Sequence, residues 1–248
     1  MRLLLANPNT TAGITALMAE AARAVAAPGT EIKPVTGTIG AAVIGSRMEM
    51  VVGDYSSLTL VAREAEGCDA VIVAASIDSG LRAIKQMLDV PVLGLTEAAI
   101  HAACLSGGRF GMVVSSARVA SVMREMVEGY GLSTRLAGIR WLGSEASAVF
   151  SDPEGYAIAI TGLVQRLAEE DGADAVVLVG AVMAGMPARI GDAVPVPVIE
   201  GVTAAVVLAE GMARLGLRKA TLGSFAPPVG RSVTGLDPAL EARFRAAG

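Results

Sequence analysis

A short loop at residues 76–80, Ser-Ile-Asp-Ser-Gly, has the side chains best suited to acid–base or nucleophilic chemistry. Asp78 could act as a general base, because a carboxylate in a desolvated cleft can have a raised pKa. Ser76 and Ser79 could act as nucleophiles or orient a ligand, provided that a base lies within hydrogen-bond reach. The alternative for Asp78 is structural, since aspartate also fills helix N-cap positions. We predict Asp78, Ser76 and Ser79 as the catalytic group.

Metal and cofactor motifs are missing from the sequence. The one histidine, His101, and the two cysteines, Cys68 and Cys104, match neither a metal-ligand spacing nor a disulfide framework. His101 follows Glu97 by one helical turn and belongs to no triad motif, so we interpret it as a packing residue. Residues 37–40, Gly-Thr-Ile-Gly, lack the third glycine of a dinucleotide fingerprint. We therefore expect no metal and no cofactor.

The elements that must position these groups occur twice in the chain. Residues 68–75 and 173–180, 105 residues apart, each contain a continuous apolar run after an aspartate, and each leads into a glycine-containing loop. Such runs are typical of parallel strands that are covered on both faces. Residues 90–93 (Val-Pro-Val-Leu) recur as residues 196–199 (Val-Pro-Val-Ile), 106 residues later. The chain therefore contains an internal repeat of strands.

Strands alternate with helices through both repeats, which favours parallel sheets. Further strands are predicted at residues 2–6, 31–35, 109–114 and 135–140, and helices at residues 56–65, 96–104, 153–170 and 202–214. The sequence thus predicts an α/β fold of two pseudo-symmetric lobes, each a mainly parallel four-stranded sheet flanked by helices. We assign residues 1–106 and 216–248 to the first lobe and residues 107–215 to the second.

Ligands of open α/β sheets bind beyond the carboxyl ends of the strands, so we place the active site in the cleft between the lobes. The predicted loops around this cleft begin at Asn7, Ala75, Ser115 and Gly180. The predicted substrate-binding residues are Asn7, Asn9, Thr10, Arg47, Ala75, Ser115, Ser116, Gly180 and Ala181. Turn formation and helix capping by Thr10 or Ser116 are the alternative roles, and Arg47 could instead be a surface residue.

Composition narrows the class of protein. Hydrophobic residues make up 53% of the chain, which supplies a large core and excludes a disordered protein. A net charge of −4 with scattered basic residues argues against nucleic acid as a partner. No apolar run approaches the roughly 20 residues of a membrane span, and the apolar N-terminal stretch is short for a signal peptide. We expect a cytoplasmic homo-oligomer with a small-molecule substrate and no membrane partner.

Several motifs follow one another along nearly the whole chain. They are residues 3–10 (Leu-Leu-Leu-Ala-Asn-Pro-Asn-Thr), 89–94 (Asp-Val-Pro-Val-Leu-Gly), 97–99 (Glu-Ala-Ala), 181–186 (Ala-Val-Met-Ala-Gly-Met), 197–202 (Pro-Val-Ile-Glu-Gly-Val) and 226–228 (Ala-Pro-Pro). Each motif alone is weak, but their order resembles the hydantoin and allantoin racemase branch of the aspartate/glutamate/hydantoin racemase superfamily. The resemblance implies a cleft between two lobes and an aspartate at position 78.

The resemblance also implies two thiols that exchange protons on opposite faces of the substrate, one at the end of each repeated strand. This sequence has Ala75 and Gly180 at those positions, and neither residue can carry a proton. Cys68 and Cys104 are expected away from the cleft. An engineered substitution at Ala75, a natural enzyme with different chemistry and a binding protein without catalysis are the open hypotheses.

We expect a cofactor-independent enzyme that acts on a small polar carbonyl compound, such as a hydantoin, ureide, cyclic amide or carboxylate. With cysteine chemistry lost, the reaction could be an isomerisation, a lyase reaction or a hydrolysis. The alternative is an inactive protein that binds a small ligand in the same cleft.

Overall fold

A computed structural model describes residues 1–217, 219–228 and 230–245. The first half contains β1 Arg2–Asn7, α1 Ala12–Val25, β2 Glu31–Thr36, α2 Arg47–Glu64, β3 Ala70–Val73, α3 Leu81–Met87, β4 Val92–Gly94 and α4 Leu95–Ser106. The second half contains β5 Phe110–Val114, α5 Ala117–Gly129, β6 Leu136–Trp141, α6 Ala146–Ser151, α7 Pro153–Glu169, β7 Ala175–Leu178, α8 Met186–Ile190, β8 Val198–Glu200, α9 Gly201–Leu215 and α10 Pro238–Arg245.

The eight strands form two parallel sheets with the same topology. Their strand orders are β2-β1-β3-β4 and β6-β5-β7-β8. The repeated strands β3 and β7 lie inside the sheets and are buried along their whole lengths, because helices cover both faces. The predicted pair of four-stranded parallel sheets is confirmed.

Two helices, α4 and α9, connect the lobes by packing across them. α4 follows β4 of the first sheet and packs against β7 and β8, whereas α9 follows β8 of the second sheet and packs against α1, β3 and β4. The two helices also pack against each other, and Gly201 lies so close to Leu95 that it has no room for a side chain. The lobe boundaries predicted at residues 106 and 215 fall at the ends of these helices and stay a prediction.

Two helix starts differ from the sequence prediction. α2 begins at Arg47 rather than at residue 56, because Ser46 and Glu49 form a capping box. Glu49 accepts hydrogen bonds from the amides of Gly45 at 2.9 Å and Ser46 at 2.8 Å. At the first helix the N-cap is Thr11, not Thr10, whose amide instead donates to Ala41 at 3.1 Å.

The C-terminal segment returns to the first lobe. The side-chain amide of Gln86 in α3 donates to the carbonyls of Ser224 at 3.0 Å and Ala226 at 2.9 Å. α10 then packs against α2. Over the described part of the chain, none of the helices is both long enough and apolar enough to cross a membrane.

The contact between α4 and α9 can be tested at one glycine. A Cβ atom at position 201 would lie 2.7 Å from the Leu95 Cβ and 2.9 Å from the Leu95 carbonyl oxygen. Gly201→Ala should therefore lower the free energy of unfolding by about 1–3 kcal/mol, because the helices must move apart. Urea denaturation measures this loss.

Gly211 supplies the matched control in the same helix, since nothing lies within 4 Å of an added Cβ there. Gly211→Ala should raise stability by about 0.5–1 kcal/mol through helix propensity. Equal effects of the two substitutions would contradict a close contact at Gly201.

Candidate active site

A cavity of about 200 Å³ lies between the carboxyl ends of the two sheets. Its lining residues come from both lobes and are Asn9, Ile14, Val43, Ile44, Gly45, Glu49, Ala75, Ser76, Ser115, Ser116, Arg118, Val119, Glu145, Ala146, Val179, Gly180, Ala181 and Val182. Ala75 and Gly180 follow the equivalent strands β3 and β7, so each lobe contributes one of them to the shared cavity. We call this space the cleft cavity.

Seven residues predicted from the sequence line the cleft cavity together. They are Asn9, Ala75, Ser76, Ser115, Ser116, Gly180 and Ala181. All of them follow the carboxyl end of an inner strand of one of the two sheets, β1, β3, β5 or β7. Asn7, Thr10, Arg47, Asp78 and Ser79 were also predicted, but they are not among the lining residues.

Two equivalent turns bring backbone amides to the cleft cavity. After β3, the carbonyl of Ala75 accepts from the amide of Asp78 at 3.0 Å; after β7, the carbonyl of Gly180 accepts from the amide of Met183 at 3.0 Å. Within the described residues, the amides of Ser76 and Ala181 have no hydrogen-bond acceptor. Each turn therefore leaves N–H groups able to donate to a ligand, an arrangement suited to a carbonyl oxygen or an anion.

The loop after β1 orients one further donor. Asn7 is fully buried, and its side-chain amide donates to the Asn9 Oδ1 and the Thr15 Oγ1, both at 2.9 Å. The Asn9 Oδ1 also accepts from the amide of Thr11 at 2.9 Å. Because this oxygen is occupied, the Asn9 Nδ2 is the group left to contact a ligand. Asn7 thus holds Asn9 in place rather than lining the cavity itself.

The symmetric loop after β5 contributes two serines. Ser116 is the N-cap of α5, as predicted, and its Oγ accepts from the amide of Val119 at 3.4 Å. The carbonyl of Ser115 accepts from the amides of Gly143 at 3.0 Å and Ser144 at 3.2 Å, which ties this loop to the segment after β6. Both hydroxyl groups keep a proton that can be donated to a ligand.

Three charged lining residues were missed by the sequence analysis: Glu49, Arg118 and Glu145. Hydrogen bonds from Gly45 and Ser46, with the charge of Arg118, hold the pKa of Glu49 below its ordinary value. Glu49 is therefore an ionised acceptor and a weak base. The Ser-x-x-Glu spacing of the capping box could have located Glu49, whereas Arg118 and Glu145 have no local signal.

Asp78 does not face the cleft cavity, which corrects its predicted position. It has a φ of 49°, and its carboxylate turns towards the start of α4. There it accepts from the amides of Thr96 at 3.0 Å and Glu97 at 2.8 Å, and from the hydroxyl of Tyr130 at 2.7 Å. Burial raises the pKa of Asp78 to about 7, against the opposing effect of these hydrogen bonds. A role as general base stays a prediction that this orientation does not support.

Two other predicted residues also point elsewhere. The Ser79 hydroxyl is buried near Gly53 of α2, without a hydrogen-bond partner among the described residues. Arg47 lies on the surface and forms an ion pair with Glu125 at 2.6 Å, which links α2 to α5. Its charge is thus neutralised outside the cavity.

Neither cysteine lines the cleft cavity. Cys68 is buried just before β3, at the opposite end of the strand, and burial raises the pKa of its thiol. Cys104 lies in α4. Within residues 1–217, 219–228 and 230–245, no group of three or more His, Cys, Asp or Glu residues is placed to hold a metal ion.

The backbone at Gly180 gives a first prediction for the site. Gly180 has a φ of 135° and a ψ of 139°, a region that residues with side chains avoid, although a Cβ there would meet its nearest neighbour only at 3.6 Å. Gly180→Ala should lower the free energy of unfolding by about 1–3 kcal/mol through backbone strain alone. Ala75→Ser, at the equivalent position with ordinary φ, is the control and should change stability much less. Equal losses would contradict the claim that only position 180 has a backbone that disfavours a side chain.

The raised pKa of Asp78 gives a second prediction. Because the folded protein binds this proton up to about pH 7 while the ordinary pKa is 3.8, the free energy of unfolding should decrease as the pH rises between these values. Asp78→Asn should remove up to about 1.4 kcal/mol per pH unit from that slope. Urea denaturation at pH 5 and pH 7 measures it. Asp89→Asn, at a side chain that is 94% exposed, should leave the slope unchanged.

Comparison with known proteins agrees with this geometry. A family described as Asp/Glu/Hydantoin racemase matches residues 3–209. A hydantoin racemase from Paenarthrobacter aurescens is 33% identical over 92% of this chain and 98% of its own length. The structure of an allantoin racemase from Klebsiella pneumoniae is 32% identical, with a TM-score of 0.91 over 97% of this chain and 99% of that chain. An allantoin racemase from Pseudomonas fluorescens is 35% identical, with a TM-score of 0.91 over 95% and 100%. The chain belongs to the Asp/Glu/hydantoin racemase family.

Proposed function

We propose that this family member is a cofactor-independent enzyme that acts on a small polar carbonyl compound without using a thiol. The observation that carries the proposal is the pair of strand ends in the cleft cavity. Each strand end is followed by a residue that cannot transfer a proton, either Ala75 or Gly180. Next to it are backbone amides without acceptors. Racemisation by two thiols is impossible with these residues, but stabilisation of a substrate anion is not.

Such a site would lower a barrier by stabilising negative charge on oxygen. When a base removes a proton from the carbon next to a carbonyl, or when a carboxylate on that carbon leaves as CO₂, the electron pair of the broken bond moves onto the carbonyl oxygen. The amides of Ser76 and Ala181 and the Asn9 Nδ2 are fixed donors for that oxygen or for a second carbonyl of the ligand. Preorganised donors stabilise an enolate or oxyanion far better than water does, because they need no reorganisation as the charge develops. Isomerisation, lyase chemistry and hydrolysis all pass through such anions.

The shape and polarity of the cavity support a compact ligand with both N–H and C=O groups. A volume of about 200 Å³ is below the range of pockets for drug-sized ligands. Aliphatic side chains such as Val43, Ile44 and Val119 supply part of the wall. The amides can donate to ligand carbonyls, while the Glu145 carboxylate can accept from ligand N–H groups. Hydantoins, ureides and cyclic amides have both the C=O and the N–H groups. Small carboxylates can accept from the backbone amides but have no N–H group for Glu145.

A binding protein without catalysis is the second candidate. It is favoured by the state of Glu49, since a carboxylate already bonded to two backbone amides is poorly suited to remove a proton from carbon. In that case the ligand would bind in the same cavity and leave unchanged. A turnover screen over hydantoins, allantoin, other ureides and substituted malonates, followed by NMR in D₂O, separates the candidates through product formation or deuterium exchange at carbon.

The thiol-free proposal makes a direct prediction. The variant Cys68→Ser/Cys104→Ser should keep turnover within about twofold of the unmodified protein, because neither thiol lines the cavity. Treatment with iodoacetamide should likewise leave turnover unchanged. A large loss of turnover on alkylation, absent from the cysteine-free variant, would show that a thiol takes part and would contradict the proposal.

A further inference from the structure

The two connecting helices α4 and α9 begin in the same way but obtain their caps from different places. At α9, Glu200 accepts from the amides of Val202 at 2.7 Å and Thr203 at 2.8 Å. Glu200 is the last residue of β8, so this cap is local. At α4, the carboxylate that accepts from the first-turn amides belongs to Asp78, 18 residues before Thr96. Both carboxylates are buried.

Gly94 makes room for the distant cap. It is the last residue of β4, the position that Glu200 occupies in β8, and the two backbones are alike, with φ and ψ of −92° and 161° at Gly94 and −118° and 158° at Glu200. A Cβ at position 94 would overlap the Asp78 carboxylate. The second lobe therefore caps its helix from the strand end, through Glu200, whereas the first lobe caps its helix from the loop after β3, through Asp78.

The distant cap bonds the turn after β3 to its surroundings. Asp78 and Met183 each lie five residues beyond the end of their strand, β3 or β7. Through Asp78 the first turn is bonded to α4 and to Tyr130, the residue that follows α5 of the second lobe. The Thr96 hydroxyl adds a bond to the carbonyl of Ser76 at 2.5 Å. A methionine at position 183 cannot make the equivalent bonds.

A neighbouring contact holds the same two elements together. Arg82 in α3 donates to the carbonyl of Gly129, next to Tyr130, at 3.0 Å. The end of α5 is thus docked on the first lobe beside the Asp78 carboxylate. The Arg82 contact already holds the end of α5 on the first lobe. The hydrogen bond from Tyr130 to Asp78 can therefore fix the position of the turn relative to both lobes.

We propose that Asp78 is a positioning residue, which holds the amides of the turn at residues 75–77 against the cleft cavity by tying them to α4 and to Tyr130. Within the described residues, no carboxylate ties the turn at residues 180–182 in this way, so we expect this wall of the cavity to be the less rigid one. The inference rests on the proposed function for the identity of the ligand, but not for the order of the turn.

Moving the cap back to the strand end separates positioning from simple helix capping. In Asp78→Ala/Gly94→Glu, the introduced carboxylate can cap α4 as Glu200 caps α9, but residues 75–80 lose the bonds that Asp78 makes to α4 and Tyr130 and keep only the bond from Thr96 as a tie to α4. Hydrogen–deuterium exchange followed by mass spectrometry reads the two regions separately. We expect the double variant to regain most of the thermal stability lost in Asp78→Ala, while residues 75–80 exchange about tenfold faster than in the unmodified protein.

Two controls keep the result unambiguous. Glu200→Gln weakens the local cap of α9 and should speed exchange at its first turn without affecting residues 75–80. Tyr130→Phe keeps the carboxylate and the cap of α4, and should still speed exchange at residues 75–80, which covers the case in which Asp78→Ala does not fold. If residues 75–80 exchanged at the same rate in Tyr130→Phe, in the double variant and in the unmodified protein, the proposal would be overturned, because Asp78 would then be a helix cap only.

Binding of allantoin, used as the probe, links the turn to the cavity. We expect its Kd to rise about tenfold in Asp78→Ala/Gly94→Glu, corresponding to 1.4 kcal/mol, and to stay unchanged in Glu200→Gln. Equal affinities of the double variant and the unmodified protein would overturn the positioning role. If the unmodified protein does not bind allantoin, the proposed ureide ligand is contradicted, and the exchange measurement alone decides the role of Asp78.

Discussion

The close packing of α4 against α9 is the contact on which the geometry of the site depends. Each helix follows the last strand of one sheet and packs on the other sheet, so the two sheets cannot turn away from each other without exposing the apolar faces of both helices. Small residues make this possible, since Gly201 has no space for a Cβ beside Leu95. A chain with only 3% aromatic residues suits such short interhelical distances. The carboxyl ends of the two sheets consequently share one cavity.

Three carboxylates near the strand ends bind backbone amides of the protein itself. Asp78 and Glu200 cap the connecting helices, and Glu49 caps α2 beside the cavity wall. Each accepts hydrogen bonds from amides at the start of a helix that have no partner within the helix. The groups left to contact a ligand are therefore mainly neutral donors, namely backbone amides, Asn9 and two serines.

The asymmetry of the two strand ends is more than a difference in side chains. Gly180 adopts a backbone conformation open to glycine, whereas Ala75 does not. The first turn is also bonded to both lobes through Asp78, and in the described part of the chain its counterpart after β7 has no such carboxylate. The two lobes thus give the cavity one wall that is bonded through Asp78 and one wall with a glycine conformation, and neither Cys68 nor Cys104 is in its lining.

The sequence by itself determined the sheets and most of the strand-end residues of the cavity. Buried parallel strands can be recognised from a few consecutive residues, because runs such as residues 70–73 and 175–178 must be apolar on both faces. The offset between the two repeats then pairs Ala75 with Gly180. Tertiary structure decided where polar side chains point. Asp78 turns towards amides 18 residues away and a tyrosine 52 residues away, and Arg47 pairs with a glutamate 78 residues away. Local patterns carry no record of such distant partners, which exist only once the two lobes have packed together.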